Sequence, residues 1–593
     1  MKRFLSAVSV TCLLASMSGA QEAADSVAPE EGSALGMTVP QSLQDALAAK
    51  TQGAPTKAND WMVAAAHPLA VEAGAEVLRD GGTAADAMVA VQAVLGLVEP
   101  QSSGLGGGAF LVWYDAKSGE VTTLDGRETA PLAATPRLFQ NENGETLKFF
   151  EAVVGGRSVG VPGTPMLMEV AHRKWGRSQW PSLFLPAIRH AEIGFPVSPR
   201  MAASVARDAE RLASHPVTAG YFLPGGTPLA EGEILFNMDY AKSLRLMAAQ
   251  GAAPFYTGEI AAEIVSAVQD ANNPGVLSAV DLALYQVKER PAVCVDYRAH
   301  DVCGMGPPSS GGLTVGQILG LVQPYDIAEL GPDSADAWRL IGDASRLAFA
   351  DRGRYMADSD YVPVPSEGLL ATDYLVERAK LLDGSAALEA VEPGAPEFDH
   401  ALNYADGETF AQPSTSHISI VDSYGNALSM TTTIENGFGS RVMTNGFLLN
   451  NELTDFSFRS HRDGVPVANR VEPGKRPRSS MAPTIVLKDG KPSLVVGSPG
   501  GSRIIGYVAK TIIAHLDWGM DVQQAIDLPH LVNRFGTFDI ESESAAMEFG
   551  EPLTGMGYKV NARDLNSGLH AISVGESLQG GADNRREGLA YGE

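Results

Sequence analysis

The chain has 593 residues, 45% hydrophobic and 19% charged, enough apolar material for two to four domains or one large composite. Its formal charge of −26 argues against nucleic acid and anionic membranes as partners, since both call for basic patches.

The first twenty residues, MKRFLSAVSVTCLLASMSGA, have a basic start at Lys2 and Arg3 and an apolar run from Phe4 to Met17, too short to span a bilayer. Ser18-Gly19-Ala20 fits a small-x-small cleavage rule, so residues 1–20 read as a signal peptide, against the rival of an uncleaved anchor. Cys12 sits too early for a lipoprotein. The expected destination is the periplasm or the medium. Residues 21–58 are polar and small and read as a flexible leader.

HPLAVEAGAEVLRDGG and TAADAMVAVQAVLGLVEP then predict two helices joined at Gly81-Gly82, the second apolar nearly all round and therefore central. SGLGGGAF places Gly104, Gly106 and Ala109 at dinucleotide-loop spacing, but a helix precedes it and a strand follows, the reverse of that loop's context. It reads as a tight turn. GGAFLVWYD and EVTTLDGRETAP are strands, with Arg127 just past the second. Residues 165–290 are mostly helical. In AVCVDYRAHDVCGM, a hairpin centred between Arg298 and Ala299 sets Cys294 opposite Cys303; export permits a bridge, and two buried thiols are the alternative. ADAWRLIGDASRLAFADRGRY is a further helix, and residues 384–414 resemble a linker. From Thr415 onward strands alternate, then a helix follows at RIIGYVAKTIIAHLDWG. Sheets flanked by helices predict a layered α/β architecture.

Three stretches carry candidate chemistry. VVGSPGGSRII runs strand, glycine turn, helix start, so the amides of Gly500 and Gly501 face outward where negative charge is favoured; a plain turn is the bland alternative. GKRPRSSMAPT sets Ser479 and Ser480 between cations and a strand, a weak signal alone. In STSHISIVDSYGNALSMTTTIE, a turn at Tyr424-Gly425 pairs two alternating segments, placing Thr415 opposite Ile434 and within one residue of Thr433. A polar strand face explains that juxtaposition, and so does a nucleophile. A threonine hydroxyl needs a base beside it. Its own α-amine, with a pKa of about 7.7–8.0, supplies one once the preceding bond is cut.

These stretches, with EPQSSGLGGGAF, PPSSGGLT and LLNNELTDFS in this order, make the chain resemble a bacterial gamma-glutamyltransferase, or glutathione hydrolase, from about residue 60 to the C-terminus. The resemblance implies an N-terminal-nucleophile hydrolase with a four-layer αββα sandwich, cut between Ser414 and Thr415 into a large subunit, 59–414, and a small one, 415–593, that stay associated. It implies Thr415 as nucleophile, Thr433 as its support and Gly500 and Gly501 as the oxyanion hole. Arg127, Ser479 and Ser480 would hold the substrate α-carboxylate, and Glu452 and Asp455 its α-ammonium. Glu435 stands near the α-amine where several members carry asparagine, and FRSHRDGVPVANRVEPG is a short lid without tyrosine. The implied substrates are a γ-glutamyl amide such as glutathione and, as acceptor, water, an amino acid or a peptide, with no metal or organic cofactor. A related glutaryl or cephalosporin acylase, and a processed but silent binding protein, are the alternatives.

Overall fold

Two seven-stranded sheets lie face to face in the computed structural model, which describes residues 39–400, 403–407 and 414–593. In chain order the strands are β1 Thr56–Ala58, β2 Met62–Ala65, β3 Gly108–Tyr114, β4 Val121–Gly126, β5 Lys288–Pro291, β6 Val293–Tyr297 and β7 His300–Gly304. They continue with β8 Ser416–Val421, β9 Ala427–Thr433, β10 Thr484–Lys488, β11 Lys491–Gly497, β12 His570–Val574, β13 Leu578–Ala582 and β14 Leu589–Gly592. One sheet has the order β1-β13-β12-β11-β10-β7-β6, the other β14-β2-β8-β9-β3-β4-β5. Every pairing within them is antiparallel.

The expected signal peptide and the start of the leader lie outside the described residues. The rest of the leader is not loose. Helix α1, Gln44–Thr51, leads into edge strand β1, and Lys50 of that helix is buried, its ammonium donating to the carbonyls of Arg586 and Gly588 at 2.7 Å each. Polar composition hid this order, because one buried lysine with two carbonyl partners does the anchoring.

Alternation along the strands builds the layers. Val112, Val421 and Ala427 point inward and meet Ile485, Val495 and Ile572 of the facing sheet. Leu111, Trp113, Ile418 and Ile420 point outward beneath α2, Pro68–Arg79, and α3, Ala84–Val98. All fifteen residues of α3 are buried, as its all-round apolarity predicts, and a Thr83–Asp86 capping box starts it. Helix α4, Pro199–Leu212, joins this layer. On the far side Val486, Leu494 and Val496 pack under α5, Gly311–Val322, α6, Ala335–Tyr355, and α7, Ile504–Leu516. The result is helix, sheet, sheet, helix: the αββα sandwich of N-terminal-nucleophile hydrolases.

Two hairpins decide open questions. Arg298 and Ala299 both take positive φ, 52° and 58°, in a two-residue turn that sets Cys294 against Cys303, and the two form a disulfide. The β8–β9 turn is one residue longer than expected. Asp422 and Asn426 flank a three-residue loop ending at Gly425, φ 84°, and the last rung of the ladder is Ser416–Thr432. One step beyond it, Thr415 faces Thr433 and not Ile434.

Candidate active site

The head of β8 is where the polar side chains converge. Thr415 Oγ1 lies 3.0 Å from Thr433 Oγ1, and Thr433 Oγ1 in turn accepts the amide of Glu435 at 2.8 Å. That amide fills one acceptor position, so Thr433 is able to donate its own proton to Thr415. Thr415 has φ 110°, a region a β-branched residue occupies only at a cost of about 1–3 kcal/mol. The strain falls beside the Ser414–Thr415 peptide bond. Ser414 Oγ donates to Gln101 O at 2.9 Å, and Arg586 Nη1 donates to Thr415 O at 3.3 Å, so both sides of that bond are pinned.

Thr415 and Thr433 share one cavity, of about 270 Å³, with Arg127, Glu435, Glu452, Asp455, Ser479, Ser480 and Gly501. Gly500 adjoins it through the chain without lining it. Its φ is 134° and that of Gly501 is 58°, in the turn that leads into the helical turn Gly501–Arg503 and α7.

Arg127 is fully buried. Its guanidinium bonds Glu452 Oε1 and Asp455 Oδ2, while Nε and Nη2 also donate to Pro477 O at 3.2 Å and Arg478 O at 3.1 Å. Asp455 Oδ1 is buried with no hydrogen-bond partner, an acceptor awaiting a donor such as an ammonium. Burial pushes Glu452 up to about 7, with Arg127 pulling it back and Asp455 adding to the rise. Glu435 accepts a hydrogen bond from Asn451 Nδ2.

The serines keep donors for an anion. Ser479 Oγ accepts the amide of Met481 at 3.1 Å, and Ser480 Oγ accepts Arg352 Nη2 at 2.7 Å. Arg352, on α6, also donates to Ser310 Oγ at 2.8 Å, whose hydroxyl holds Ser479 O at 2.6 Å. A guanidinium behind Ser480 polarises its hydroxyl toward the cavity. His417 belongs to no triad: its nitrogens contact Thr431 Oγ1 at 2.9 Å and Ser419 Oγ at 3.0 Å, and burial, aided by His570, keeps it neutral.

Residues 70–593 match the Gamma-glutamyltranspeptidase family. The chain belongs to that family. It is 38% identical to the glutathione hydrolase proenzyme of Bacillus subtilis strain 168 over 547 residues, 90% of this chain and 91% of that protein. It is 35% identical to the glutathione hydrolase proenzyme of Escherichia coli K12, covering 90% and 91%. Among solved structures it resembles a cephalosporin acylase from Bacillus halodurans, with TM-score 0.80 and 26% identity over 91% of this chain and 97% of that one. It also resembles a chain of the Helicobacter pylori gamma-glutamyltranspeptidase, with TM-score 0.55 and 34% identity over 56% of this chain and 96% of that one.

Within this gamma-glutamyltranspeptidase chain, sequence reasoning missed three groups at the site. Glu128 is wholly buried 3.9 Å from Arg127, and burial, with the neighbouring Glu452 adding to it, raises its carboxyl well above the usual range. Its place next to Arg127 in DGRETAP was the available signal. Arg352 and Arg586 lie in stretches that advertise nothing, and only the fold brings them to Ser480 and Thr415.

Proposed function

We propose that this chain is an exported, self-processing γ-glutamyl hydrolase and transferase. The observation that carries the reading is the Thr415–Thr433 hydroxyl pair at 3.0 Å, at the strained head of β8, in a cavity walled by Arg127 and three carboxylates. In the first phase Thr415 Oγ1 attacks the Ser414 carbonyl, the carbon–nitrogen bond breaks, and the nitrogen leaves as the Thr415 α-amine. Water then opens the ester. In the second phase the neutral amine takes the hydroxyl proton as Oγ1 attacks a γ-glutamyl amide. The amides of Gly500 and Gly501 receive the oxyanion, for which each donor typically contributes about 2.7–4 kcal/mol. The amine product leaves with the proton, and water or an amino acid takes the γ-glutamyl group.

Ser479 and Ser480, backed by Arg352, and Arg127 hold the substrate α-carboxylate. Glu452, Asp455 and Glu435 hold its α-ammonium. The cut leaves residues 59–414 and 415–593 interleaved, because β8 pairs with β2 and β9 with β3, and separating the subunits would unzip the centre of a sheet. No helix among the described residues is long and apolar enough to cross a membrane, in keeping with release to the periplasm or the medium.

The test is intact mass beside a γ-glutamyl anilide assay on the parent and a Thr415→Ala variant. The parent should give two fragments and release the aniline; the variant should remain one chain and release none. A glutaryl anilide run in parallel decides the acylase alternative, since it lacks only the α-amine: equal turnover of both would favour an acylase. A fully processed parent that releases nothing would favour a silent binder.

A further inference from the structure

The stretch PPSSGGLT, residues 307–314, takes no part in the steps above, yet it lies directly against the serine pair. Ser309 and Ser479 form a parallel bridge, the Ser479 amide donates to Pro308 O at 3.1 Å, and the Ser310 amide donates to Ser479 O at 2.9 Å. Side chains repeat the contact: Ser309 Oγ donates to Met481 O and Ser310 Oγ to Ser479 O, each at 2.6 Å. A Cβ on Gly311 would lie 2.2 Å from Met481 O, so the start of α5 is pressed onto the same backbone. Arg352 of α6 closes the arrangement, with Nε on Ser310 Oγ at 2.8 Å and Nη2 on Ser480 Oγ at 2.7 Å, while its carbonyl accepts Arg478 Nη1 at 2.9 Å. We infer that Ser309, Ser310 and Arg352 are positioning residues, a clamp from the large-subunit span that turns the Ser479 and Ser480 hydroxyl protons into the cavity as one grip for the substrate α-carboxylate. This rests on the reading that those two serines hold that carboxylate.

Hydrogen-bond polarity decides which way the protons point. A hydroxyl has one proton to donate and two lone pairs with which to accept. A guanidinium only donates, so Ser480 Oγ accepts from Arg352. A peptide N–H only donates, so Ser479 Oγ accepts from Met481. Each serine thereby keeps its proton for an acceptor in the cavity that both line. Ser310 obeys the same rule: its single proton goes to Ser479 O, and its oxygen accepts from Arg352 Nε. The three clamp side chains are buried, and hydrogen bonds from an ionised donor are stronger than neutral ones. An arginine suits the place because two prongs of one planar fork reach Ser310 and Ser480 together, which a lysine ammonium at the end of a flexible stem does not reproduce. The clamp residues precede Thr415 and the gripped serines follow it, so after the cut the carboxylate grip of the small subunit takes its shape from the large one.

The experiment is a double-mutant cycle on kcat and KM for a γ-glutamyl anilide, with the parent, Arg352→Gln, Ser480→Ala and the two combined, after intact mass has recorded the processing of each. Arg352→Gln should raise KM about 10–100-fold with kcat within about threefold of the parent, the pattern of lost ground-state binding. In the Ser480→Ala background the same change should cost no more than about threefold, because the hydroxyl that Arg352 directs is already gone. A parental KM in Arg352→Gln, or equal losses in the two backgrounds, overturns the inference, since the arginine would then act on nothing or through the fold at large. Where Arg352→Gln or Ser480→Ala stays uncut, Arg352→Lys or Ser480→Cys replaces it under the same criteria. A replacement that is uncut too overturns the inference, because the pair then serves the cleavage and not the grip. The reading beneath is tested by one arm alone: a processed Ser480→Ala protein with parental KM removes the carboxylate from the serines, and the inference falls with it.

Discussion

Gly107 offers a test of how Thr433 is held. A Cβ built on Gly107 would lie 1.9 Å from Thr433 O and 2.8 Å from Ile434 Cγ2, where ordinary contact begins near 3.4 Å. Gly107 has little room to yield, since its carbonyl accepts the amides of Gly163 at 2.8 Å and Thr164 at 3.0 Å. Gly107→Ala therefore drives Thr433 away from Thr415, and a displacement of about 1 Å at a reacting centre typically lowers the rate on the order of 100-fold. Overpacking adds a stability loss of about 1–3 kcal/mol. The assay is threefold: fraction processed by intact mass, kcat with a γ-glutamyl anilide, and the urea midpoint. Gly555→Ala, where nothing lies within 4 Å of the added carbon, is the control and should match the parent. A Gly107→Ala protein with parental processing, kcat and midpoint would refute the claim that this backbone approach fixes the Thr415–Thr433 pair.

Three other outcomes are expected. Glu452, held up to about 7 by burial, must be ionised to accept an ammonium, so KM for the γ-glutamyl anilide should rise as pH falls through about 7; a flat KM profile that matches Glu452→Gln would count against it. Because its native pKa lies above the ordinary 4.5, the native state holds more protons than the unfolded one across that window. Substrate-free stability should accordingly fall as pH rises from about 4.5 to about 7, and a urea midpoint series should show it. The Cys294–Cys303 bridge closes a ten-residue hairpin and contributes about 2.5–3 kcal/mol on the chain-entropy model. Replacing both cysteines should lower the urea midpoint while kcat stays parental, because neither residue lines the catalytic cavity; a kcat loss would tie that hairpin to the site.

What the sequence disclosed, and what it hid, follow a physical divide. Strand and helix texture is local, so α3, β8, β9 and the cystine hairpin were legible from periodicity and turn residues. The tight turn read at Gly104 and Gly106 has a non-local reason: Gly106 lies under Leu448 O, and its neighbour Gly107 under Thr433 O, hundreds of residues away. The one-residue slip at the β8–β9 turn came from Gly425, whose positive φ suits a three-residue loop as readily as a two-residue one. Lys50 and Arg586 were invisible for another reason. A charged residue in a polar stretch looks solvated until the fold supplies the carbonyls that bury it.

The overlap with a cephalosporin acylase, at TM-score 0.80, is no argument for acylase chemistry, because layers and strand order are shared more widely than substrates. The discrimination lies in charge. Under the reading proposed above, Arg127 and the two serines hold one carboxylate, which a glutaryl and a γ-glutamyl group both carry. Glu435, Glu452 and Asp455 line the same cavity, and Asp455 Oδ1 is left without a hydrogen-bond partner. A buried carboxylate oxygen without a partner is unfavourable unless a donor arrives with the ligand. A glutaryl group brings none and adds its own negative charge, whereas a γ-glutamyl group brings an ammonium to the unpartnered oxygen. Burial, with a neighbouring carboxylate adding to it, raises both Glu452 and Glu128 above the ordinary range. Under the reading proposed above, the α-amine is the feature of the substrate that these carboxylates select.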